Sequence, residues 1–228
     1  MDKRESSPEQ LVLNNLHSDD SNRIYRIMAE FAEGFEILSR IPRGVAVFGS
    51  SRATEEDPYY RVAEGVGRIL AQNGFAVLTG AGPGIMEAAN KGAHEAGGAS
   101  IGLNIQLPAE QPINSYLTTL INYHYFFVRK VMFVRHSLAF VIMPGGYGTL
   151  DELFESVTLI QTHKIRPFPV VLVGREYWQG LLDWLLGTVV RRGRVTPDEM
   201  EIFTLADTPE EVLVAIQGAT PDRRQPIP

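Results

Sequence analysis

The sequence predicts an α/β fold in which helices cover both faces of a mainly parallel sheet. Three observations carry this. Strand-like and helix-like segments alternate along the chain. The strand-like segments are unbroken apolar runs, such as Val45–Phe48 and Leu138–Met143, as expected of strands buried on both faces. Three chemically unusual loops, Gly49–Arg52, Gly80–Gly84 and Pro144–Thr149, follow such runs. Open parallel sheets bind ligands beyond the carboxyl ends of their strands, where strand order reverses, so this shared location is also the first functional signal.

The elements follow in order. From Ser21 to about Ile41, Ile24, Ile27, Met28, Phe31, Phe35 and Leu38 fall on one helical stripe. That face must pack on the body of the domain or on a partner subunit. Val45–Phe48 reads as a buried strand. Asp57 and Pro58 mark the N-cap and first position of a helix that turns Val62, Val66, Ile69 and Leu70 inward and stops at Asn73-Gly74. Phe75–Leu78 is a second strand, followed by the loop 79–84 and a helix from about Ile85 to Ala96. A strand near Ser100–Asn104, a Pro-containing loop, a strand around Leu117–Asn122 and a helix around Phe126–His136 come next. Leu138–Met143 feeds the loop Pro144–Thr149, and a helix follows it. Phe168–Val173, a helix with Trp178, Leu181, Leu182 and Leu185 inward, and a strand near Ile202–Leu205 continue the alternation. Thr208-Pro-Glu-Glu211 is a capping box that opens the last helix. The expected architecture is Rossmann-like and doubly wound, with an added N-terminal helix.

The 228 residues suit one α/β domain, placed at 21–217. Residues 1–20 and 218–228 are polar or Pro-rich and are expected to be a disordered N-terminal tail and a flexible C-terminal one. The chain has no Cys, which excludes disulfides, thiolate metal sites, Fe–S clusters and cysteine nucleophiles. A net charge of −6 argues against a protein held mainly by nucleic-acid phosphates. Neither a secretory signal nor a membrane-length apolar run is visible, so a cytoplasmic protein with no membrane or nucleic-acid partner is expected. The five histidines are scattered without ligand spacing, so no metal is expected.

Pro144-Gly-Gly-Tyr-Gly-Thr149 runs from a strand into a helix, with Asp151 and Glu152 following. Glycines permit close backbone approach, and a helix N-terminus offers free N–H groups, so a phosphate is the natural guest. A Gly-rich turn with no ligand explains the spacing equally well. No Walker Lys is present. Thr79-Gly-Ala-Gly-Pro-Gly84 looks like a dinucleotide fingerprint but has Ile85 at the third glycine and follows the second strand, which demotes it. Arg129 and Lys130 lie on an apolar helix, where snorkelling surface cations are the ordinary explanation. No hydrolase nucleophile elbow occurs.

Gly49-Ser-Ser-Arg52, Thr79-Gly-Ala-Gly-Pro-Gly-Ile-Met-Glu-Ala-Ala-Asn-Lys91, Arg129-Lys130 and Pro144-Gly-Gly-Tyr-Gly-Thr-Leu-Asp-Glu152 occur in this order and spacing. Together they resemble the LOG ("lonely guy") family of nucleotide phosphoribohydrolases, long labelled "possible lysine decarboxylase", in its longer-chain branch. The likeness covers about Ile41 to Leu205. It implies hydrolysis of the N-glycosidic bond of adenosine-type 5′-monophosphates, N6-prenylated ones among them, giving a free base (a cytokinin) and ribose 5-phosphate. It also implies Glu152 and Arg129 as catalytic residues, Gly145, Gly146, Gly148 and Thr149 as the phosphate cradle, and Gly82, Gly84, Ser50, Glu87 and Lys130 as further substrate contacts. No cofactor is implied, and a homodimer or larger homo-oligomer is. Two alternatives share the fold: a broader AMP or nucleotide monophosphate nucleosidase, and a non-catalytic nucleotide- or cofactor-binding carrier. Ala81 stands where many relatives have Gly, a departure that matters only if its φ is positive.

Overall fold

The computed structural model describes residues 8–107 and 112–219, with side chains for 21–107 and 112–218. The chain divides into two compact units, Met1–Arg40 and Ile41–Pro228.

The first unit is one helix, α1 (Pro8–Leu38). It begins 13 residues before the expected Ser21, so residues 8–20 are helical rather than a frayed tail. Proline suits the first helical position, and Glu9, Gln10, Leu11, Leu13 and Leu16 are good helix formers; polarity there is no sign of disorder. At the other end, residues 218 and 219 of the expected tail close the last helix of the chain, Pro209–Ala219; residues 1–7 and 220–228, the rest of the expected tails, lie outside the described residues. Phe31 stacks on Phe35 along α1, while Ile24, Met28 and Phe35 of the predicted stripe are exposed.

The second unit holds β1 (Gly44–Phe48), α2 (Pro58–Gln72), β2 (Ala76–Thr79), α3 (Ile85–Glu95), β3 (Ser100–Ile105), β4 (Thr119–Tyr123) and α4 (Phe126–His136). There follow β5 (Ser137–Ile142), α5 (Tyr147–Gln161), β6 (Val170–Val173), α6 (Arg175–Trp184), β7 (Phe203–Ala206) and α7 (Pro209–Ala219). All pairings are parallel, in the order β4-β3-β2-β1-β5-β6-β7. The fold is the doubly wound α/β architecture that the alternation predicts. Boundaries move by one or two residues, for physical reasons: β6 starts after Pro169, which has no N–H for the ladder. Beyond α6, Leu185–Val190 continues as a π-helical stretch that no sequence pattern announces.

Alternate residues of the central strands face opposite layers. Val45, Val47, Val77, Ala139, Val141, Val171 and Val173 join α2, α3 and α7 in one buried cluster. On the other face Phe48 meets Phe133 of α4 and Phe140 of β5, with ring centroids 4.9 and 5.0 Å apart. Asp57 caps α2 as predicted, its carboxylate accepting the Tyr59 N–H at 2.8 Å. The capping box of α7 is half-shifted. Thr208 Oγ1 accepts the Glu211 N–H, but the Glu211 carboxylate takes the N–H of Asp207 rather than that of Thr208.

Helices α2 and α3 cross so closely that glycine is needed at the contact. A Cβ at Gly92 would run into the Glu64 carbonyl, and one at Gly67 into that of Ala89. Neither obstacle is a side chain that can swing away. In an exposed helix Gly→Ala gains about 1 kcal/mol; here Gly92→Ala should instead destabilise by about 2–3 kcal/mol, as the helices are forced apart. Chemical denaturation of the variant checks this, and a gain in stability would refute the close crossing.

Candidate active site

Strand order reverses between β1 and β5, so the connections leaving these neighbours diverge and open a crevice at their carboxyl ends. A cleft of about 870 Å³ lies there. Its floor is made by Gly49 and Ser50 after β1 and Gly80 after β2; Pro144–Thr149 after β5 forms one side. Met86, Ile105, Leu107, Phe126 and Phe133 supply an apolar wall. Arg129, Glu152 and Tyr177 also face it.

Ser50 ties the three loops together. Its N–H donates to the Pro144 carbonyl, its carbonyl accepts the Ile85 N–H, both at 3.0 Å, and its hydroxyl accepts the Arg52 N–H at 3.1 Å. The start of α3 comes so near that a Cβ on Gly84 would strike the Ser50 carbonyl, and Gly84 has φ +70°. Gly84 therefore serves close packing, not the cleft lining. Gly82 is likewise buried outside the lining; its carbonyl accepts from the Asn114 amide. Glu87 sits half-buried on α3, also away from the cleft lining.

The loop 79–84 is held by a buried network that sequence reasoning missed. Asn90 accepts from the Thr79 hydroxyl at 2.5 Å and the Asn114 amide at 3.0 Å, and donates to Ser100 Oγ at 2.8 Å. Asn90 lies within the recognised motif, but nothing in its position says that its amide is a hub. Ala81 has φ +65°, so its departure from Gly matters: a left-handed Ala costs about 1–2 kcal/mol. The bonds from Asn114 N–H to its carbonyl and from its own N–H to Thr79 hold it there.

Thr149 and Glu152 stand three residues apart on α5, hence on one face. The helix has no side-chain cap. Only its first N–H groups, those of Tyr147 and Gly148, lack intrahelical acceptors at the cleft edge; those of Thr149 and Leu150 both donate to the Gly146 carbonyl at 3.0 Å. Glu152 is only 4% exposed. Its Oε1 lies 3.5 Å from Lys130 Nζ, and its Oε2 has no hydrogen-bond partner among the described residues. Burial pushes the Glu152 carboxyl above its ordinary value, partly offset by Lys130 and then Arg129. Burial outweighs both cations, and Lys130 is the stronger counter-charge of the two.

Arg129 is not a snorkelling surface cation. Its Nε is closed off from solvent without a partner among the described residues, and its guanidinium lies 5.4 Å from the Phe126 ring and 5.9 Å from the Phe133 ring. Burial lowers its pKa, against the pull of Glu152 and Asp151. Lys130 does not line the cleft. It bonds Glu155 at 2.6 Å and Asp151 at 2.7 Å; burial opposes its charge, but these carboxylates prevail and raise its pKa. Among the described residues no group of three His, Asp or Glu side chains is placed to hold a metal ion. No described helix is long and apolar enough to cross a membrane.

The model of the family described as "possible lysine decarboxylase" matches residues 86–216, more than half of the chain. A "probable cytokinin riboside 5′-monophosphate phosphoribohydrolase" of Oryza sativa subsp. japonica is 32% identical over 183 residues, covering 78% of this chain and 73% of the relative. The chain belongs to the LOG family. Another LOG relative, the cytokinin riboside 5′-monophosphate phosphoribohydrolase of Rhodococcoides fascians, is 28% identical over 78% of this chain and 90% of its own. Among solved structures, the molybdenum cofactor binding protein of Rippkaea orientalis is similar, with a TM-score of 0.57 and 25% identity. It covers 78% of this chain and 97% of its own. At family level the chain is thus related to named phosphoribohydrolases, within a fold shared by a cofactor-binding protein.

Proposed function

We propose that this protein hydrolyses the N-glycosidic bond of adenosine 5′-monophosphates, N6-modified or not, to the free base and ribose 5-phosphate. The observation that carries the reading is Glu152: a buried carboxylate with one oxygen unpartnered among the described residues, one helical turn after a candidate phosphate loop in the same cleft. Breaking C1′–N9 leaves the bonding pair on the base and positive charge on the ribose. Glu152 stabilises that charge and takes a proton from the water that forms the new bond to C1′; the departing base takes up a proton from solvent, and Glu152 releases its own to solvent afterwards. Arg129 contacts the sugar-phosphate, supplying a partner for an Nε that has none among the described residues. Gly145, Gly146, Gly148 and Thr149 hold the phosphate. Ser50 acts by fixing these loops, as do Gly82 and Gly84, while Lys130 supports Glu152 from behind. A cytoplasmic setting, where nucleotides are held, suits this substrate.

A remote phosphate can position C1′ against Glu152, so its loss should lower rate as well as affinity. Adenosine should be a poorer substrate than AMP by roughly 10²-fold or more in kcat/KM, the discrimination expected of two charge-assisted bonds. Equal kcat/KM values would remove the phosphate from this loop. The exposed stripe on α1 and the family resemblance support at least a homodimer. Light scattering at micromolar concentration should therefore give a mass of at least twice 25.3 kDa.

The similarity to a molybdenum cofactor binding protein favours a second reading, a carrier that binds without turnover. Such a protein has no need of the Arg129 and Glu152 chemistry. Release of free adenine from AMP separates the two.

A further inference from the structure

Tyr177 belongs to none of the recognised motifs, yet its hydroxyl donates to the Gly145 carbonyl at 2.7 Å across the mouth of the cleft. The residue is firmly based. The start of α6 is fastened to the end of β7 by Arg175, whose N–H and Nε bond the two Asp207 carboxylate oxygens, each at 2.8 Å. The Tyr177 ring packs edge-on against Trp178, with centroids 4.9 Å apart. Trp178 is buried and donates its indole N–H to the Val173 carbonyl.

A trans peptide is planar, so a carbonyl and the next N–H point in opposite directions from one rigid unit. Fixing the Gly145 carbonyl therefore fixes the direction of the Gly146 N–H. The preceding carbonyl, that of Pro144, is pinned from the other side by the Ser50 N–H. Glycine backbones are otherwise free to rotate, and Gly145-Gly146 is the flexible entry to α5. Two successive peptide units are thus held from two different elements.

We propose that Tyr177 is a positioning residue for the phosphate loop: its hydroxyl sets the Gly145–Gly146 peptide so that the loop N–H groups converge on the 5′-phosphate of the substrate. This rests on the phosphate reading of Pro144–Thr149 given above. Tyr177 touches the loop and acts through it.

Tyr177→Phe keeps the ring and its packing on Trp178 and removes only the hydroxyl. The experiment measures kcat and KM for AMP and adenosine, inhibition by ribose 5-phosphate, and Tm, on wild type and variant. For AMP, kcat/KM should fall about 3- to 10-fold, the range expected of one neutral hydrogen bond, with the loss mainly in KM. The inhibition constant of ribose 5-phosphate should rise by a similar factor, while adenosine kinetics stay unchanged. A purely structural role would lower Tm and slow both substrates alike, leaving the AMP-to-adenosine ratio as it was; that outcome overturns the inference alone. A wild type that shows no preference for AMP overturns the phosphate reading, and the role of Tyr177 with it.

Discussion

Glu152→Gln should lower kcat by about 10²–10⁴-fold while leaving the fold intact, because it removes a charge and a proton acceptor but almost no volume. The loss should fall on kcat more than on KM, as expected of a group that acts mainly in the transition state. Stability moves the other way. The folded-state pKa of Glu152 is raised by burial, so its contribution to stability is present below the ordinary carboxylate pKa and is lost as pH rises through the raised value. Above that raised value the wild type carries a buried charge that Gln lacks. The variant should therefore be at least as stable there, with the wild type gaining on it as pH falls towards 4.5. The acid limb of the wild-type kcat/KM profile should have its midpoint above 4.5, and Lys130→Met, which removes the nearest cation, should move it higher. A fully folded Glu152→Gln protein retaining activity within about tenfold of wild type would take Glu152 out of the mechanism.

Arg129→Ala should be comparably severe, with a loss of about 10²–10³-fold in kcat/KM for AMP, as for removal of a preorganised cationic donor from a closed site. The neighbouring substitution gives the contrast. Lys130→Ala should leave kcat within about tenfold, since Lys130 does not line the cleft, but should lower Tm. Asp151, Glu152 and Glu155 would then repel one another without their shared cation. If Arg129 were only a packing residue, Arg129→Ala would instead lower Tm and leave kinetics normal. Measuring Tm and kcat on the same preparations decides between these outcomes.

The order of elements was readable because each strand is apolar throughout and each helix carries local punctuation, such as Asp57-Pro58 or Asn73-Gly74. The cleft was readable in outline because its loops follow β1, β2 and β5, and the Thr149–Glu152 spacing fixes two side chains on one helix face. Contacts between distant elements were not. Glycines 82 and 84 look like ligand-approach residues, yet Gly84 is needed because the Ser50–Ser51 backbone crosses it. Arg129 and Lys130 are adjacent in sequence, but the helix turns them to different surroundings, one into the cleft wall and one onto the carboxylates of α5. Tyr177 acts through one hydrogen bond to a loop 32 residues away and Asn114 through bonds to Ala81, Gly82 and Asn90, and no local pattern encodes such contacts. The helical start at Pro8 shows the converse: composition alone mistook a polar helix for a tail.

The most direct test of the proposed activity is to incubate the full chain with AMP, and in parallel with isopentenyladenosine monophosphate, and to follow the products by chromatography. Catalytic amounts of protein should release free base and ribose 5-phosphate in equal amounts over many turnovers, and Glu152→Gln should release almost none. Intact nucleotide remaining bound, with no base released from either substrate, would contradict the account and leave the carrier reading in its place.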